Sequence, residues 1–196
     1  MTKRLDAVAS IRTGLVLSRF KPTDELSKLF EYQLVGLRCF GESSTLDEQG
    51  LETFESKQQI DKKYLTRQGD ILVRLRAPLR AVFVEEEGLL FSSLTAVVRI
   101  EDAAVSPKYL LHYLNSKPIQ KQLSREIKGT RIPTVRTSDI AALKIVVPPM
   151  EEQHKLVGLL ETTEREAQLL HRLVEARREL ARSALERITT RMKENR

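Results

Sequence analysis

The chain has 196 residues, 41% of them hydrophobic and 31% charged, with 33 Lys/Arg against 27 Asp/Glu, a formal charge of +6 and a pI near 9.5. That length holds one domain of about 150 residues with its own core plus an appendage, and the moderately basic balance permits nucleic-acid binding. No run approaches the ~20 apolar residues of a transmembrane helix, the single Cys39 excludes an internal disulfide, and MTKRLDAVASIRTG lacks the sustained apolar core of a signal peptide, so a soluble, cytoplasmic protein is expected.

Leu5 to Ile11 carries a short amphipathic pattern that ends at Thr13-Gly14, and Tyr32 to Phe40 alternates as a strand does. Residues 41 to 69 are polar and glycine-punctuated and give no clear element. After the turn Gly69-Asp70, Ile71, Leu72, Val73 and Leu75 interleave with Arg74 and Arg76. Arg80 to Val84 and Leu89 to Phe91 flank Glu85-Glu86-Glu87-Gly88, which predicts a hairpin with a solvated acidic tip, and Leu94 to Ile100 supplies another strand. Ser106-Pro107 opens an amphipathic helix through about Leu123, with Leu110, Leu111, Leu114, Ile119 and Leu123 on its buried side. A loop from Lys128 to Ser138 leads to a last strand at Leu143 to Val147. No internal repeat is evident.

Pro148 and Pro149 end that strand, because each lacks an N–H and fixes φ. A helix can begin at Met150 or Glu151, where Glu151 and Glu152 suit its positive end. Its seam steps through Leu156, Leu160, Thr163, Ala167, Leu170, Val174, Arg177, Ala181, Ala184 and Ile188 in alternating intervals of four and three. Such a pattern predicts a coiled-coil helix of roughly 60 Å, and its one apolar stripe calls for a partner helix. The expected fold is therefore α+β: a mixed, strand-rich domain over 1–149 followed by a long C-terminal coiled-coil helix over 150–196. That helical part holds 10 Lys/Arg against 9 Asp/Glu, so most of the positive excess lies in residues 1–149.

The basic residues of the domain are clustered. Alternation places Arg74 and Arg76 on one strand face, with Arg80 shortly after, and Lys128, Arg131 and Arg136 share the loop KGTRIPTVRTS. Arginine forks onto guanine or phosphate, and Thr130, Ser92 and Ser93 are suited to phosphate or base edges. Arginines between apolar residues are also the ordinary solvated face of an amphipathic strand, and composition alone favours that reading.

Enzymatic readings find little support. Val147-Pro148-Pro149-Met150 has the prolines of an amino-methyltransferase loop but neither the amide or carboxylate before them nor the aromatic after, and there is no GxxxxGK[ST] phosphate loop. His112, His154 and His171 lack metal-ligand spacing, Cys39 reads as core, and Asp70 reads as turn chemistry.

The order LDAVASIRTG, YLTRQGDILV, SPKYLLHYLNS, KGTRIPTVRTSDI and KIVVPPMEEQHKLVGLLE resembles a target recognition domain plus one long helix of the specificity subunits of type I restriction-modification systems. The resemblance covers nearly the whole chain, and the closing stretch is its most specific part. It implies a non-catalytic subunit that reads double-stranded DNA and serves as a platform for a methylation subunit, which would carry the S-adenosylmethionine, and for a restriction subunit. The chain itself is expected to need no cofactor and no metal. Complete members of the family carry two recognition domains and two antiparallel helices, so this chain resembles a half-subunit. A homodimer through Leu156, Leu160, Ala167, Leu170, Val174, Ala181, Ala184 and Ile188 would read a bipartite inverted repeat. The alternative is a coiled-coil structural adaptor without DNA specificity of its own. The candidate DNA contacts are Arg74, Arg76, Arg80, Ser92, Ser93, Lys128, Thr130, Arg131 and Arg136.

Overall fold

The computed structural model describes residues 1–41, 43–126 and 134–194, with the side chains of the last helix described as far as Arg187. The chain divides into two compact units, Met1–Val157 and Gly158–Arg196. Within the first, strands β2 (Ala9–Thr13), β8 (Thr95–Ile100), β5 (Ile71–Arg74) and β6 (Arg80–Phe83) form an antiparallel sheet in that order. A second sheet has the order β4 (Leu51–Ser56), β3 (Phe30–Val35), β7 (Leu90–Phe91), antiparallel between β3 and β4 and parallel between β3 and β7. The third pairs β1 (Thr2–Arg4) with β9 (Lys144–Val146).

The four-stranded sheet is buried on both faces, which is why the first three residues of β5, Ile71, Leu72 and Val73, are all apolar. Ile71 and Val73 pack with Ala96, Val98 and the leucines of α1 (Pro107–Asn115), whereas Leu72 packs with Val82, Val97, Val35 and Phe91 on the opposite side. Leu34, Phe54 and Leu90 build a smaller cluster on the second sheet. The two main layers thus share β5 as their common wall.

The predicted hairpin across Glu85–Gly88 does not form. β6 pairs with β5, while β7 leaves to join β3. The cause is Thr66, which is 3% exposed. Its hydroxyl donates to Glu86 O (2.9 Å) and accepts from Leu89 N (3.0 Å), while its backbone bonds Leu89 O and Gly88 N (2.9 and 3.0 Å). Captured this way, with Gly88 at φ +86°, the turn directs the chain away from β6. The strand expected from Tyr32 to Phe40 is instead β3 followed by a 3-10 turn at Leu37–Cys39, and the Leu5–Ile11 pattern divides into a 3-10 turn at Leu5–Ala7 and β2. Strands β1 and β4 had no counterpart in the sequence pattern.

The helix expected from Ser106 to Leu123 is two helices, α1 and α2 (Lys117–Glu126), broken at Ser116, which is extended. Pro118 has no N–H to bond Leu114 O, and the Gln120 side-chain amide fills that place at 2.7 Å. All five apolar residues expected on the buried side are buried, each fully buried leucine stabilising by roughly 1.5–3 kcal/mol. Asn115, at the end of α1, accepts from Ala81 N (2.9 Å) and donates to Ala81 O (2.8 Å), satisfying edge strand β6. A short helix α3 (Thr137–Ala141), not anticipated, begins after Arg136, whose N–H donates to Asp139 Oδ2 at 3.1 Å.

The last helix, α4 (Met150–Glu194), starts directly after Pro148-Pro149. Its first turns belong to the first unit. Gln153 is fully buried and its amide is saturated: Nε2 donates to Ala104 O and Pro148 O, and Oε1 accepts from Ser106 N, each at 2.8 Å. Val157 is 7% exposed. In the second unit, Leu159, Leu160, Leu170, Leu173, Val174, Leu180 and Leu185 are all exposed.

Candidate nucleic-acid interface

Arg74 closes β5, and its register partners are Arg80 on β6 and Thr95 on β8. Two positions earlier Leu72 faces Val82 and Val97, so the row Arg80–Arg74–Thr95 continues the face of the second core to the end of the sheet. The three arginines of the segment, Arg74, Arg76 and Arg80, are half-buried. Arg74 Nη2 donates to Ala77 O at 3.3 Å and Arg80 Nη2 to Ser43 O at 3.4 Å. Among the described residues no carboxylate pairs with Arg74 or Arg76, and the Nε atoms of both are buried without a hydrogen-bond partner. The Thr95 hydroxyl beside them is also buried and unpartnered.

Two other segments reach the same end of the sheet. Ser92 and Ser93, half-buried, form the turn into β8: Thr95 N donates to Ser92 O (2.9 Å), Ser93 N to Leu15 O (2.8 Å), and Leu75 N to Leu94 O (2.9 Å). Thr134 and Val135 then add to the extension of β5, with Thr134 bridged antiparallel to Arg76 and Val135 N donating to Leu75 O at 2.9 Å. Val135, 1% exposed, is held in the first core, and Arg136 follows it as an exposed side chain. Arg74, Arg76, Arg80, Ser92, Ser93 and Arg136 therefore come from segments tied to one another by backbone bonds. Lys128, Thr130 and Arg131 lie outside the described residues.

At the opposite end of the same face the charge is neutralised. Arg99 Nε and Nη2 donate to Asp70 Oδ1 and Oδ2 at 2.7 and 2.6 Å, and Arg67 N donates to Asp70 Oδ2 at 2.8 Å. The Asp70 carboxylate raises the pKa of Arg99 further. Asp70 is thus a structural ion-pair partner as well as a turn residue. Glu85, Glu86 and Glu87 are exposed beyond the far end of β6 from Arg80. Cys39 is buried, and burial pushes its thiol upward, away from thiolate chemistry. Among the described residues no cluster of three potential metal ligands occurs, and no described helix is long and apolar enough to cross a membrane.

The expected helix seam is exposed at Leu156, Leu160, Ala167, Leu170, Val174, Ala181 and Ala184. The side chain of Ile188 lies outside the described residues. Sequence reasoning missed Gln153, Asn115 and Thr95. A glutamine four residues after a Pro-Pro pair carries no periodic signal, and Thr95 became notable only through its neighbours in the register.

The family model for the type I restriction modification DNA specificity domain matches residues 2–176. No curated protein matches the chain. Among solved structures, the HsdS subunit from Thermoanaerobacter tengcongensis is similar with a TM-score of 0.65 and 20% identity, over 88% of this chain and 44% of that one. A chain from a structural study of complex assembly and conformational transition of the type I R-M system gives 0.65 and 21%, over 93% and 43%. The type I restriction-modification system S subunit from M. genitalium gives 0.57 and 18%, over 91% and 42%. These likenesses are of fold, and the chain spans less than half the length of each of these structures.

Proposed function

The chain belongs to the family of type I restriction-modification DNA specificity domains, and from that premise we propose that it reads double-stranded DNA with the end of the four-stranded sheet where Arg74, Arg76 and Arg80 meet Ser92, Ser93 and Arg136. The observation that carries this assignment of the site is the backbone splice of Thr134–Val135 onto Leu75–Arg76. It joins the segment that carries Arg136 to a basic sheet end, where among the described residues neither Arg74 nor Arg76 has a carboxylate to neutralise it. Phosphate contacts would fix the register and a few base contacts the sequence. Lys128, Thr130 and Arg131 join this proposal on sequence alone, as basic and hydroxyl residues a few positions before Thr134.

The protein acts as a half-subunit in this reading. Two copies would pair their α4 helices antiparallel through the exposed seam, giving a twofold assembly that reads a bipartite inverted repeat. The recognition chain is non-catalytic. Methyl transfer would belong to a methylation subunit carrying S-adenosylmethionine, and cleavage to a restriction subunit. The adaptor reading accounts for the exposed apolar stripe equally well but gives no reason for Arg74 and Arg76 to stand without a carboxylate among the described residues.

The test is selection of bound duplexes from a randomised pool, with light scattering on the same sample. Enrichment of an inverted repeat with one spacer length by a dimer is the expected result. Failure to enrich any sequence, at low salt and with a methylation subunit co-expressed, would sink the DNA-reading role.

A further inference from the structure

An arginine reads guanine by presenting two N–H groups in one plane to O6 and N7. It does so either side-on through Nε and one Nη or end-on through both Nη atoms. Guanine is the one base whose major-groove edge offers two adjacent acceptors, since adenine and cytosine place a donor there and thymine a single acceptor with a methyl group. A phosphate asks for less, because a single well-placed positive donor suffices.

Arg74 and Arg76 differ on this point. Both have their Nε atoms buried, which closes the side-on fork. Arg74 also spends Nη2 on Ala77 O at 3.3 Å, so its guanidinium is turned toward its own loop and offers charge rather than a free end-on pair. Arg76 makes no side-chain hydrogen bond among the described residues. Its backbone is fixed by the bridge to Thr134 and by the bonds of Leu75 to Leu94 and Val135. A half-buried stem on a fixed backbone has few rotamers to lose on binding, which is the pre-organisation that a directional contact needs.

Resting on the DNA-recognition reading above, we infer that Arg76 is a specificity-determining residue that forks end-on onto a guanine of the target, while Arg74 holds the DNA backbone at a phosphate. The two roles are two residues apart on one extended segment. The phosphate grip thereby sets the register in which the fork meets its base.

The experiment is duplex selection and salt-dependent affinity measurement with the wild-type chain, Arg76→Ala, Arg76→Lys and Arg74→Ala. The wild-type pool is expected to hold guanine at one position of the half-site. Arg76→Ala and Arg76→Lys should both lose that preference, by about ten- to a hundred-fold, and keep the others. Lysine retains the stem and the charge but has no planar fork, so Arg76→Lys decides the matter if the alanine variant folds poorly. Arg74→Ala should keep every base preference, weaken all sequences alike and make the salt slope shallower by about one. Full guanine preference in Arg76→Lys, or a shallower salt slope with preference intact in Arg76→Ala, would make Arg76 a phosphate contact and overturn the inference. A wild-type chain that selects no sequence overturns the DNA reading itself. Selection by the wild type with no change in the Arg76 variants overturns this inference alone.

Discussion

Arg74 lies directly across the β5–β6 ladder from Arg80. Opposed like charges on paired strands are ordinarily unfavourable, and Arg74 adds a buried Nε without a partner. Replacing Arg74 by Val should therefore raise Tm by about 1–3 °C while lowering DNA affinity, as read by calorimetry and by fluorescence anisotropy on the selected duplex. A variant less stable than the wild type would show that Arg74 contributes packing that outweighs its charge.

At the other end of that ladder the opposite arrangement holds. Asp70, 1% exposed, is forked by Arg99 and also accepts from Arg67 N. Asp70→Ala should cost about 2–4 kcal/mol in denaturant unfolding, because it leaves the Arg99 charge half-enclosed and alone. Asp70→Asn keeps one oxygen, which at the Oδ2 position still accepts from Arg99 Nη2 and Arg67 N but turns an NH2 toward Arg99 Nε, so it should recover only part of that loss. Equal losses would place the energy in the charge rather than in the hydrogen bonds.

Gln153 closes three hydrogen bonds that no water can replace without entering the core. Gln153→Leu should destabilise the first unit by about 2–4 kcal/mol. Gln153→Glu should be worse at neutral pH, since a carboxylate cannot donate to Ala104 O or Pro148 O. Hydrogen exchange at Ser106 and Glu152 would report the loosening locally.

The exposed seam gives a separate expectation. Leu170, 56% exposed in the isolated chain, sits at the seam centre, so Leu170→Glu should turn a dimer into a monomer by light scattering, because pairing would bury an unpaired carboxylate. An unchanged mass would remove Leu170 from any interface.

Acid should act partly through Asp102. The Lys3 ammonium at 2.6 Å and the Ala104 N–H hold its carboxyl below the ordinary carboxylate range. A carboxyl with a depressed folded pKa stabilises above its unfolded value, and that contribution is lost as pH falls through the folded value. Asp102→Asn should therefore lower Tm slightly at neutral pH and flatten its fall below about pH 4, where variant and wild type converge. An acid limb identical to that of the wild type would assign acid sensitivity to other groups.

The parts of the fold legible in the sequence were those with a complete local signal. The Pro148-Pro149 stop, the apolar run of β5, the Ser106-Pro107 helix start and the apolar side of α1 and α2 needed nothing from elsewhere in the chain. What escaped depended on distant partners. Thr2–Arg4 is polar and forms a strand because β9 offers it an edge. The Glu85–Gly88 turn was mistaken for a hairpin because the hold exerted by Thr66, some twenty residues earlier, leaves no mark in the strands it separates. The candidate site behaved likewise. Alternation put Arg74 and Arg76 together, while their juxtaposition with Ser92, Ser93 and Arg136 required the Leu75–Val135 bond.

The side chain of Asn115 also bears on how this protein meets other copies of itself. An open strand edge is a template on which extended segments of other chains can grow. At β6 the Asn115 amide already occupies the donor and acceptor of Ala81, so the middle of that edge is closed to an incoming strand without the addition of a fifth one. Resistance to aggregation at the middle of this border is thus lodged in a helix and lasts only while α1 stays folded against it, whereas at Phe83 the strand is already taken up by Ser44 and Leu46.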